Sequence, residues 1–155
     1  MLKHATNHAQ NRYLQLIRKM RTLEPTWKLS KKLILENFAF LQSEFDFPKF
    51  KKKWIKDEYY ITTQKGGIEF SCLIFQFSWD SPEIGITNHS EPTEFKAELM
   101  PKNYYQIDKL DKTGELKKMA QNGNEYIEDY VKKCAELLKK NPNILNGIVS
   151  YFKTE

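Results

Sequence analysis

Two adjacent glycines, Gly66 and Gly67, separate two runs of alternating apolar and polar residues, and this pattern commits the chain to an antiparallel hairpin. A two-residue connection is a tight turn, and glycine tolerates the positive φ angles that such turns demand. The runs cover residues 59–65 and 68–79, and pairing Lys65 with Ile68 puts Tyr59, Ile61 and Thr63 on one face with Ile68, Phe70, Cys72 and Ile74. That is the expected core face, with Thr62, Gln64, Glu69 and Ser71 turned to water near the turn. Beyond Ile74 the alternation inverts, and Phe75, Phe77 and Trp79 take the former solvent phase. A β-bulge near residues 74–75 returns these aromatics to the core. A strand end covered on both faces fits the same residues, and so does an exposed aromatic stripe that binds a ligand.

Around the hairpin the chain alternates strand and helix signals. Ser81-Pro82 breaks the sheet, and residues 83–88 set Ile84 and Ile86 between polar neighbours as a third strand. Phe95, Ala97 and Leu99 line one face of a candidate fourth strand before Pro101. On the N-terminal side, Ala9, Tyr13, Leu16, Ile17 and Met20 recur at helical spacing over residues 4–23, and the Glu24-Pro25 step ends that helix. A second helix is expected from a Ser30 N-cap to Asp46, with Ile34, Phe38, Leu41 and Phe45 on one side and Leu33 and Phe40 on another, so that it is covered twice. A short helix is expected over residues 115–121. A long one follows from an Asn124 cap to Lys140, with acidic residues in its first turns and lysines in its last. Its apolar face is Tyr126, Ile127, Tyr130, Val131, Cys134, Leu137 and Leu138, opposite Glu128/Lys132, Asp129/Lys133 and Glu136/Lys140 pairs. Ile144, Leu145, Ile148, Val149 and Phe152 suit one more docking helix. The expected fold is α+β: a small antiparallel β-meander of three to four strands packed against N-terminal and C-terminal helices, as a single domain over residues 1–155.

Composition narrows the class of protein. The 155 residues are 40% hydrophobic and 29% charged, which excludes intrinsic disorder and a membrane-embedded chain. The start Met1-Leu2-Lys3-His4 lacks the apolar stretch of a signal peptide, so a cytoplasmic location is expected. Cys72 and Cys134 fall at apolar positions without close spacing, and read as core thiols instead of a disulfide framework or a zinc site.

Charge is segregated along the chain. Residues 1–56 carry 13 Lys and Arg against 4 Asp and Glu, whereas residues 57–155 carry 12 against 16. The positive excess peaks where Lys49, Lys51, Lys52, Lys53 and Lys56 interleave with Phe50 and Trp54. These five lysines and Trp54, together with Arg18 on the outer side of the first helix, are the candidate partner-binding residues. A dense cationic segment with rings that can stack attracts a phosphate backbone, and it docks an acidic protein surface equally well. A solvated loop leading into a strand, with Phe50 and Trp54 set in the core, accounts for the same residues without any partner.

Signals for chemistry are sparse. His4 and His8 lie four apart, half of a metal site that only His89 remains to extend, but so near the N-terminus fraying leaves the pair inert and no metal is expected. Asp80 followed by Glu94-Phe95-Lys96 resembles the Mg²⁺-dependent nuclease core of restriction-type enzymes, in which carboxylates hold the metal and the lysine steadies the attacking water. Glu115-Leu116-Lys117 repeats the triplet, as a chain rich in Glu and Lys does by chance. Gly-rich phosphate loops, Ser-His-Asp sets and Cys-His nucleophile pairs are missing, so neither enzyme activity nor a cofactor is expected.

The layout also carries a resemblance. An N-terminal helical region, a meander ending in Ser81-Pro-Glu-Ile-Gly-Ile-Thr87, and a late helix from Tyr126 to Lys140 running into Asn-Pro-Asn-Ile-Leu-Asn-Gly147 resemble small bacterial immunity proteins. The resemblance implies an α+β fold, no catalysis, and a protein partner: a cognate polymorphic or contact-dependent toxin that the immunity protein binds and neutralises. Immunity proteins against nuclease toxins are often acidic, whereas the composition of this chain gives a pI of about 9.0. Either its toxin is not a basic nuclease, or the acidic part after residue 57 makes the contact.

Overall fold

The glycine pair makes the turn its spacing predicts. In the computed structural model, which describes residues 26–76, 80–91 and 103–152 together with Arg12, Lys65 pairs with Ile68 and Gly66 turns the chain at φ 58°. Strands β1 (Lys51–Ile55), β2 (Glu58–Lys65), β3 (Ile68–Phe75), β4 (Glu83–Asn88) and β5 (Tyr104–Gln106) form one sheet in the order β1-β2-β3-β4-β5, antiparallel throughout. Tyr59, Ile61, Thr63, Ile68, Phe70, Cys72 and Ile74 are all buried, joined by Ile84 and Ile86 of β4. The opposite face stays half-open at Thr62, Glu69 and Ser71.

The meander is longer than expected at both ends. β1 occupies the lysine-rich segment, and β5 is three residues long. The expected bulge near residues 74–75 is not there. Pairing is regular from Lys65↔Ile68 to Glu58↔Phe75, and β3 simply stops, with the Gln76 N–H donating to the Asp57 carbonyl. Phe77 and Trp79, the candidate strand at Phe95, Ala97 and Leu99, and, apart from Arg12, the helix expected over residues 4–23 lie outside the described residues.

β5 depends on a glycine across the ladder. A Cβ on Gly85 would strike the ring of Tyr104, so the missing side chain lets that ring lie against β4. Tyr105 adds a hydrogen bond to Glu91 (2.7 Å) and a ring contact with Phe152 (5.2 Å between centroids). Gly85→Ala is therefore expected to displace Tyr104 and cost about 1–3 kcal/mol. Thermal denaturation checks this, and a midpoint equal to that of the parent protein contradicts it.

Helices cover the core face. Helix α1 (Thr26–Asn37) begins a turn earlier than the sequence suggests, and Ser30, the expected cap, is buried inside it. The cause is tertiary: Trp27 packs on Trp54 and Tyr59, with ring centroids 5.1 and 5.8 Å apart, and holds that extra turn in helical form. The expected continuous helix to Asp46 breaks at residues 38–39 and resumes as α2 (Phe40–Ser43). In an unbroken helix, residues two apart point about 200° away from each other. The break lets Phe38 and Phe40 both enter the core, with centroids 6.0 Å apart.

On the C-terminal side, α3 (Glu115–Gln121) has the expected bounds. Asp111 ties its start: Oδ1 accepts from the Thr113 N–H and hydroxyl, and Oδ2 from the Leu116 N–H at 2.8 Å. Helix α4 (Ile127–Lys140) buries Ile127, Tyr130, Val131, Cys134, Ala135 and Leu138. A 3-10 turn over Gly123–Tyr126 replaces the Asn124 cap, and Tyr126 is exposed. Lys133 pairs with Glu115 on α3 and not with Asp129, while Lys139 reaches Glu44 at 3.1 Å, so charges expected to serve one helix tie separate elements together. The expected last helix is two 3-10 turns, Pro142–Asn146 and Ser150–Phe152; Ile144, Leu145 and the linking Val149 are buried, and Ile148 between the turns is exposed. Among the described residues, no helix is long and apolar enough to cross a membrane.

Candidate functional site

Three anchors place the lysine-rich segment. The buried Phe47 donates its N–H to the Leu41 carbonyl (2.9 Å), and the Pro48 carbonyl accepts from the Thr63 hydroxyl (2.7 Å). Phe50 lies against Phe70 with centroids 6.0 Å apart. From there the chain runs extended through β1, in register Lys51↔Thr62, Lys52↔Ile61, Lys53↔Tyr60, Trp54↔Tyr59 and Ile55↔Glu58, and turns at Lys56 with φ 55°.

The segment is therefore a strand and not a solvated loop, and its alternation sorts the candidates. Paired residues share a face, so Lys52 and Trp54 lie on the helix-covered side with Ile61 and Tyr59. Lys51, Lys53 and Ile55 lie on the other side. All five residues of β1 are exposed, as are Lys49 and Lys56. Among the described residues, no ion pair engages any of the five lysines. Arg18 lies outside the described residues.

Trp54 is only partly set into the protein. Its ring contacts Trp27 (5.1 Å, edge-on) and Tyr59 (4.9 Å), yet the residue is 39% exposed. Ile55 beside it is 44% exposed. Two helix lysines join the cluster, Lys28 Nζ at 5.8 Å from the Trp27 ring centre and Lys31 Nζ at 5.6 Å from that of Tyr59. Sequence reasoning missed Trp27, Lys28 and Lys31. Their signal was the helical spacing Trp27-x-x-x-Lys31, masked by placing the helix start at Ser30. On the outer face, the Tyr60 hydroxyl donates to Glu58 at 2.6 Å, and that bond, with some burial, pushes the phenol up to about 12. The exposed apolar and cationic groups thus sit together on one sheet edge.

Carboxylates gather on the β4–β5 side instead. Asp80, Glu83 and Asp108 line a cleft of about 320 Å³ together with Tyr130 and Gln106. Asp80 is exposed at a strand approach, and its expected partners Glu94 and Lys96 lie outside the described residues, as do His4 and His8. His89 Nε2 is 3.7 Å from the Glu69 carboxylate. Among the described residues, no three of His, Cys, Asp and Glu are grouped so as to hold a metal ion. Cys72 and Cys134 are both buried and unbridged, and burial raises both thiols.

Burial raises the pKa of Asp108 in this cleft despite Lys109 nearby, and among the described residues no hydrogen-bond partner reaches its buried Oδ1. A carboxyl raised in the folded state helps folding only while protonated, and that contribution is lost as pH rises from the unfolded value through the folded one. Asp108→Asn is therefore expected to raise the unfolding midpoint at neutral pH and to change nothing below the ordinary carboxylate range. An equal midpoint at neutral pH would show that the cleft tolerates the charge.

A second cleft, about 610 Å³, opens at the other end of the sheet between Asp46, the glycine turn, Asn88 and Gly147. The lysine on its wall is already engaged, with Lys65 Nζ donating to the Phe45 carbonyl at 2.7 Å. No protein-family model, curated protein or solved structure matches the chain.

Proposed function

We propose that this chain is a binding protein that docks an acidic protein surface on the β1 edge, and that the partner is a bacterial toxin domain which it occludes. The observation that carries this reading is the set of exposed lysines, in no ion pair among the described residues, on a sheet edge beside the exposed Trp54 and Ile55. Interface hot spots favour a partly buried aromatic, which desolvates at little entropic cost, and surrounding charge steers the encounter and selects the partner. The toxin assignment rests on the resemblance of the layout to small immunity proteins. Of the two ways to reconcile that resemblance with a pI of about 9.0, the edge favours a toxin with an acidic contact surface.

Nucleic acid attracts lysines as well, but sequence-tolerant binding also uses ring faces on which bases stack. Here Trp54 has Trp27 and Tyr59 against it, and Tyr59 is buried. A protein surface suits this geometry better.

Co-expression with the product of the adjacent upstream gene tests the assignment. Co-purification as a complex, with rescue of growth from that product's toxicity, is the expected result. No complex and no rescue would overturn the toxin reading.

A further inference from the structure

Building on the proposed docking of an acidic protein at β1, we infer that the partner engages by adding an extended strand of its own, an acidic triplet next to an apolar pair, to the outer edge of β1.

Backbone geometry is the first reason. Among the described residues, β1 is the terminal strand of the sheet and pairs only with β2, so alternate residues turn their N–H and C=O groups outward with no described strand to receive them. The strand is regular over Lys51–Ile55, without a proline or a bulge, and every residue is exposed. It is a ready template for one more antiparallel neighbour, the arrangement found in the rest of this sheet.

Side-chain chemistry identifies the occupant. An added strand lies about 4.8 Å away, with facing Cβ atoms about 5 Å apart, so each β1 residue meets one partner residue. Three consecutive lysines, Lys51, Lys52 and Lys53, ask for three consecutive carboxylates, which fall on alternating faces as the lysines do. Trp54 and Ile55 ask for two apolar side chains. An antiparallel partner therefore reads apolar-apolar-acid-acid-acid. A second copy of this chain is disfavoured by the same residues, since antiparallel self-pairing centred on Lys53 sets that lysine against itself, and like charges in facing positions repel. The lysines guard the edge against self-association and admit a strand of opposite charge.

The test uses a synthetic peptide with two valines followed by three glutamates between threonine ends, and a version N-methylated at alternate residues so that it keeps its charge but cannot complete a ladder. Binding of the unmethylated peptide, with slowed amide exchange at residues within Lys51–Ile55 and at least about tenfold weaker binding of the methylated form, is the expected result. If both peptides bind equally and K51E/K52E/K53E abolishes both, strand addition is overturned while charge-based docking at β1 stands. If neither binds, both fail. Displacement of the peptide by single-stranded oligothymidylate, without protection of the β1 amides, would assign the edge to nucleic acid and overturn strand addition.

Discussion

The triple variant K51E/K52E/K53E is expected to lose at least about 100-fold in affinity for the acidic partner while remaining folded. Each exposed lysine contributes on the order of 1 kcal/mol to an ion pair, and three reversals replace attraction with repulsion, so a loss of about 3 kcal/mol is the conservative expectation. Most of the change should appear in the association rate and should shrink as salt rises, because steering acts through a screened field. Stability should hardly move: all three side chains are exposed, none is in an ion pair among the described residues, and exposed substitutions of this kind fall within about 0.5 kcal/mol each. Affinity and unfolding midpoint measured on the same preparation separate the two effects. A variant that binds normally would move the interface away from β1, and a variant that unfolds would show that the lysines hold the edge in place.

Phe70→Ala is expected to destabilise the fold by about 3–5 kcal/mol, the usual range for emptying a buried phenylalanine site. Phe70 is fully buried at the centre of the sheet, its ring 4.7 Å from Phe38 on the helical side and 6.0 Å from Phe50 at the entrance to β1. The cavity therefore touches both the helix layer and the anchor of the candidate binding edge. Chemical denaturation gives the total loss, and amide exchange across Lys51–Ile55 should quicken, because Phe50 at the entrance to β1 lies against the emptied site. A loss below about 1 kcal/mol would mean that the aromatic cluster closes around the gap and that Phe70 is not the central contact described above.

What was readable in advance follows from which forces act locally. The β2–β3 hairpin was legible down to the Lys65–Ile68 pair, because a two-residue glycine turn and strict alternation leave one register that buries Phe70 and Cys72 together. β4 and α3 were legible for similar reasons, the first from Ile84 and Ile86, the second from its bounding turn residues. β1 was hidden because lysines occupy both of its faces; only pairing with β2 makes Lys51–Ile55 extended, and nothing within the segment announces it. β5 was hidden because three residues carry no periodicity and its support, the bare surface of Gly85, lies on another strand. The break between α1 and α2 was likewise tertiary, driven by burial of Phe38 and Phe40 on one side. Of the candidate site, the sequence marked the lysines and Trp54. The surrounding Trp27, Tyr59, Lys28 and Lys31 came into view only once the helix and strands were placed.

The most direct measurement is a titration of the purified protein against the product of the adjacent upstream gene, run in parallel with K51E/K52E/K53E and with Trp54→Ala. A saturable complex with the parent protein, weakened at least about 100-fold by the lysine reversals and at least about tenfold by loss of the indole, is the expected result. A complex of unchanged affinity in both variants would contradict docking on the β1 edge.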